Sequence, residues 1–168
     1  MNDDILRRAI SAIGKGTIYV LGKGGRKPIA ELPGDSEKRC DCSGFVSWCV
    51  GLDRYQPRSS LYKKYNGGWI STDAIVFDAK RPKSESGYFT RVEIPTPGDI
   101  IVYGDKDGRQ GHTGIVSAVR DFENDPKWAG LKVIHCSSGN YKKTKDAIRE
   151  TGAEVFLKNK AIFARFDP

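Results

Sequence analysis

Only two histidines, four cysteines and one methionine occur in the 168 residues, and no apolar run is long enough to cross a bilayer. The scarcity of cysteine excludes a disulfide framework: Cys40, Cys42, Cys49 and Cys136 are too few and too unevenly placed, so free thiols and synthesis in a reducing compartment are expected. A secretory leader is not expected either, because Asp3, Asp4, Arg7 and Arg8 interrupt the first ten residues and no apolar segment follows them. Repeats and low-complexity tracts are missing. The GKGGRK segment at 22–27 lacks both the Walker spacing and the Ser or Thr after its lysine, so it is a turn rather than a phosphate cradle. Asp105, Asp107 and Gly108 imitate the start of a calcium loop, but no glutamate follows at the required position.

What is present suits one compact domain spanning 1–168, with hydrophobic residues at 38%. Lys and Arg outnumber Asp and Glu by 28 to 21, a formal charge of +7 that favours polyanions. The basic residues are scattered rather than gathered in a stripe, which argues against a nucleic-acid partner; even Lys142, Lys143 and Lys145 read as a solvated loop. Anionic lipid and the anionic bacterial wall would be attracted by the same charge, which singles out no polyanion.

Ile5, Leu6, Ala9, Ile10 and Ile13 recur at helical spacing after Asp3 and Asp4, predicting an amphipathic helix over 3–13. Glycines and prolines make 22–40 a loop, and 43–52 forms a second helix whose apolar residues lie largely along one side. Residues 61–97 read as irregular with a short helix near 71–79. After them come four β-rich runs at 99–104, 112–120, 131–136 and 161–166, separated by turn signals. Helices first and strands afterwards indicate an α+β domain with an antiparallel sheet.

Cys42 falls at the start of the second helix, where partial positive charge and unpaired N–H groups favour a thiolate and an oxyanion. Asp41, Ser43 and Gly44 suit a tight approach to that helix, with Gly44 leaving room for substrate backbone. By strand alternation His112 shares a face with Gly114, Val116 and Ala118, and His135 with Val133 and Ser137, so neighbouring antiparallel strands would present both rings together. A base beside the thiol, oriented by a second group on its other nitrogen, is the arrangement of Cys-His hydrolases. Cys49 and Cys136 are expected in the core, the latter pointing away from His135. A zinc site of Cys40, Cys42, His112 and His135 is disfavoured because Cys-x-Cys is tighter than the usual ligand spacing.

Taken in order, these segments resemble the NlpC family of papain-like cell-wall peptidases across nearly the whole chain. TIYVLGKGG at 17–25, DCSGFV at 41–46, PRSS at 57–60, TPGDIIVYG at 96–104, GHTGIV at 111–116 and VIHCSSG at 133–139 carry the likeness. Leu21, where tryptophan is common, and Cys40, where an apolar residue is usual, depart from it.

The resemblance implies N-terminal helices packed on a five- or six-stranded antiparallel sheet. It implies cleavage of the peptidoglycan stem peptide, commonly between D-glutamate and a diamino acid, with no cofactor. Cys42 would be the nucleophile, His112 the base, His135 its orienting residue, and Tyr19 would lie beside the oxyanion. Asp41, Ser43 and Arg58 would line the substrate groove. A monomer is expected, delivered to the wall by phage or specialised secretion machinery, with any immunity partner unassigned. Three rivals remain: an N-acetylmuramoyl-L-alanine amidase, a lipid acyltransferase or thioesterase, and a non-catalytic metal- or wall-binding module.

Overall fold

The structure, a computed structural model, describes residues 1–55, 59–119 and 130–168. Helix α1 (Asn2–Ser11) buries Ile5 and Ala9, and α2 (Cys42–Cys49) is buried throughout. Between them a short parallel pair, β1 (Ile18–Tyr19) and β2 (Arg39–Cys40), sets Tyr19 beside Cys40. Two further helices, α3 (Ser60–Lys64) and α4 (Thr72–Ala79), occupy the stretch read as irregular, the second where a short helix is expected.

The main sheet contains β3 (Phe89–Val92), β4 (Ile100–Tyr103), β5 (His112–Ala118), β6 (Lys132–Cys136), β7 (Ile148–Gly152) and β8 (Ile162–Phe166). Their spatial order is β3-β8-β4-β5-β6-β7, and every pairing is antiparallel. The expected α+β architecture with an antiparallel sheet is therefore present, with six strands. Helices α5 (Ser138–Thr144) and α6 (Glu154–Lys158) flank β7.

Side-chain alternation divides the core in two. Ile100, Val102, Ile115, Ile134 and Cys136 face the layer of α1, α2 and α4, packing with Ile5, Phe45, Val46 and Ile75. Ile101, Val116, Val133 and Phe163 face the other way and close around Phe156 of α6. Cys49 and Cys136 lie in the first core, as their positions in the pattern require. His112 has the parity of Val116, and His135 that of Val133, so both rings emerge on the Phe156 face.

Candidate active site

The sharp turn into α2 is built by a buried carboxylate. Asp41 caps the helix by accepting the Gly44 N–H at 2.8 Å, and it also accepts the Gly22 N–H at 2.7 Å. Arg54, only 1% exposed, forks onto it: Nη1 lies 2.8 Å from Oδ1 and Nη2 2.9 Å from Oδ2. The same guanidinium donates to Ser43 Oγ at 2.8 Å, to the Lys23 carbonyl at 3.0 Å and to the Ile70 carbonyl at 3.2 Å, under the ring of Trp69. Asp41 and Ser43, read from sequence as groove residues, thus spend their oxygens on Arg54 at 1% and 4% exposure. The space at Gly44 is filled by the protein itself. A Cβ there would fall 2.6 Å from the Lys23 carbonyl oxygen and 2.9 Å from Arg54 Nη1.

Cys42 opens α2 with 6% of its surface exposed. Its sulfur receives the backbone N–H groups of Thr113 and Ser43. The first of these belongs to the residue after His112, so the tip of α2 lies against the start of β5. Burial first and Asp41 second push the Cys42 thiol up to about 12, with the two N–H groups and Arg54 acting in the opposite sense.

His112 Nε2 lies 2.7 Å from His135 Nδ1, and the rings meet edge to face with centroids 4.9 Å apart. The close approach needs Gly114, where a Cβ would fall 2.6 Å from Val133 Cγ1 and 2.9 Å from His135 Cβ. Phe156 stacks on His112 at 5.1 Å, and Tyr103, directly opposite His112 in the β4–β5 pairing, meets it edge-on at 6.4 Å. Burial and then His135 lower His112 to about 3, and burial lowers His135 to about 4. At neutral pH the Cys42 thiol and both imidazoles are therefore uncharged.

A cavity of about 630 Å³ opens over the rings, lined by Tyr19, Tyr103, His112, His135 and Thr151 among others. The Tyr19 hydroxyl is pushed up by burial and then by the nearby Cys42 and Asp41 charges. Of the residues expected at the site from sequence, Tyr19, His112 and His135 line this cavity and Cys42 opens α2; Tyr103 and Thr151, which also line it, and Arg54, which holds the turn into α2, were not read from the sequence. Arg58 lies outside the described residues. Among the described residues no group of three or more His, Cys, Asp or Glu side chains is arranged to hold a metal ion, so Cys40, Cys42, His112 and His135 do not assemble into a zinc site.

The histidine shifts set a pH dependence of stability. Both folded values lie below the unfolded 6.5, so the unfolded chain binds more protons as the pH falls, and folding weakens from about pH 6.5 downward. For Asp99, burial raises the carboxyl, but Arg165, the Thr96 N–H and Asn2 outweigh it, and its stabilisation is lost only below the ordinary 3.8. Tm measured between pH 7 and 4 should fall progressively, and less steeply in His135→Asn. A flat Tm over that interval would contradict two buried neutral imidazoles.

Residues 33–146 match the model of the CHAP domain family, a span that contains Cys42, His112 and His135. Among solved structures, the chain is similar to the NlpC/p60 domain of peptidoglycan hydrolase SagA, with 19% identity and a TM-score of 0.47 over 100% of this chain and 99% of that one. It is also similar in fold to Ly7917, with 15% identity and a TM-score of 0.53 over 98% of this chain and 61% of that one. No curated protein matches the sequence closely enough to add a relative. The likeness read from DCSGFV and GHTGIV stands, with CHAP as the family whose model matches over more than half of the chain: the chain belongs to the CHAP domain family, papain-like cysteine peptidases and amidases that act on peptidoglycan.

Proposed function

We propose that this protein hydrolyses an amide bond in the wall stem peptide, between D-glutamate and the following diamino acid, through a thioester on Cys42. The observation that carries this reading is the meeting of three elements at the start of β5: the α2 thiol against the Thr113 N–H, and His112 bonded to His135 at 2.7 Å.

His112 Nδ1 removes the thiol proton as sulfur attacks the carbonyl carbon. The resulting oxyanion is held by the Cys42 N–H at the helix tip and by the Tyr19 hydroxyl. Collapse expels the amine, which takes the proton from His112, and leaves the acyl group on sulfur. Water then gives a proton to the same imidazole nitrogen and attacks the thioester, releasing a carboxylic acid and restoring the thiol. His135 holds the His112 ring throughout. Asp41, Ser43 and Arg54 fix the turn that aims the sulfur, and Arg58 is kept as a groove residue on the strength of the PRSS resemblance. The net charge of +7 concentrates the enzyme at an anionic wall.

Mass spectrometry of a defined muropeptide after digestion tests the bond. Products split after D-glutamate are expected; a bare lactyl group on the sugar would move the cut to N-acetylmuramoyl-L-alanine. An intact substrate under conditions where the enzyme is folded would reject hydrolysis altogether.

A further inference from the structure

The histidine pair is the middle of a longer chain of hydrogen bonds, and its far end decides where the protons sit. Thr151 Oγ1 lies 2.8 Å from the Gly152 carbonyl and 2.9 Å from His135 Nε2. A carbonyl oxygen only accepts, and with the Thr151 hydroxyl proton given to Gly152, the shorter of the two contacts, a lone pair of Oγ1 faces His135. His135 Nε2 must then carry its proton and donate. Its Nδ1 is left bare and accepts from His112 Nε2 across 2.7 Å. His112 in turn holds its proton on Nε2, which leaves Nδ1 as the basic nitrogen. Every bond has one donor and one acceptor, and the direction of all three follows from one backbone carbonyl.

Thr151 occupies this position because of register. β7 is an edge strand of the sheet, paired to β6 with His135 opposite Arg149 and Val133 opposite Thr151. Residues 149 and 151 therefore share the face that carries His135, and Thr151 is its diagonal neighbour.

We propose that Thr151 is a positioning residue that fixes the tautomers of both histidines, presenting His112 with an unprotonated Nδ1 towards Cys42. This rests on the reading of His112 as the base. When His112 Nδ1 takes the thiol proton, Nε2–H remains bonded to the bare Nδ1 of His135, and no second proton has to move. Without the Thr151 hydroxyl, the His135 proton loses its acceptor at Nε2 and is free to move to Nδ1. It would then donate to His112 Nε2 and force the His112 proton onto the nitrogen that should act as base. A tautomer error of that kind leaves geometry intact and removes catalysis.

The test compares Thr151→Val, which keeps the side chain's shape, with Thr151→Ser, which keeps the hydroxyl, using protein labelled with ¹⁵N in the imidazole rings. In the wild type near pH 7, NMR should show both histidines neutral and protonated at Nε2. Thr151→Val should shift a substantial fraction of both rings to the Nδ1–H form and lower kcat by roughly tenfold to hundredfold with KM nearly unchanged, whereas Thr151→Ser should stay within a few-fold of wild type in both measures. Wild-type tautomers and wild-type kcat in Thr151→Val would overturn the proposal, as would an equal loss in Thr151→Ser. The ring spectra are read without substrate. A wild type inert towards wall but with the stated tautomers would therefore overturn the hydrolase reading, and an active wild type with the opposite tautomers would overturn this relay alone.

Discussion

Cys42→Ala is expected to give a folded protein that releases no new peptide termini from purified wall. The substitution removes one sulfur from a site with 6% exposure, where its neighbours are backbone N–H groups at the start of α2 and β5. The cost to stability should be about 1 kcal/mol, within the ordinary range for a small buried truncation. The cost to activity is of another order. The other three thiols offer no substitute: Cys49 and Cys136 lie in the core on the helical side of the sheet, and Cys40 is fully buried. With the nucleophile gone, what remains is substrate binding and oxyanion stabilisation without a covalent route, a loss of roughly 10⁴-fold or more. Normal thermal unfolding alongside the lost turnover separates this outcome from simple misfolding.

Arg54→Met should instead act on the fold. The guanidinium is the only cation shown against Asp41 among the described residues, and both side chains are 2% exposed. Removing it strands a buried carboxylate and takes a donor away from the Ile70 carbonyl and from the Lys23 carbonyl, which keeps only the Asp41 N–H. Breaking such a pair from one side costs about 3–5 kcal/mol, which for a chain of this size is a drop in Tm of about 10 °C. Activity should fall as well, because the turn that carries Cys42 is tied down by this network. Asp41→Asn combined with Arg54→Met removes the stranded charge while keeping a capping oxygen, and should recover part of the loss. Equal Tm values for wild type and Arg54→Met would show that the pair contributes nothing net.

The contrast between Cys42 and Arg54 shows what a sequence can disclose. Asp41 before an apolar helix is a local capping signal, and His112 and His135 sit in runs whose alternation gives their faces, so the helix start at Cys42 and the pairing of the two rings were legible. The strands β4, β5, β6 and β8 were visible for the same reason: each carries a buried face, and all four are flanked on both sides by other strands in the sheet. β7 was not visible. Its sequence IRETG has a single fully buried residue, because an edge strand shows most of its surface to solvent, and with β7 went Thr151. β3 is four residues long among prolines and bends, and it too sits at an edge.

Arg54 was hidden for a different reason. Nothing in Leu52-Asp53-Arg54-Tyr55 marks one arginine for burial, since its partner lies thirteen positions back and only the folded loop brings them together. The family resemblance assigned Asp41 and Ser43 to the substrate groove without showing this partner. Polar side chains beside a nucleophile look available until the cation that occupies them is seen.

The most direct test of the central claim is a rapid acid quench of the enzyme during turnover of a stem-peptide substrate, followed by peptide mapping. The account predicts an acyl adduct on the peptide containing Cys42, labile to hydroxylamine and absent from Cys42→Ala. An adduct on another residue, or undiminished product release by Cys42→Ala, would contradict it.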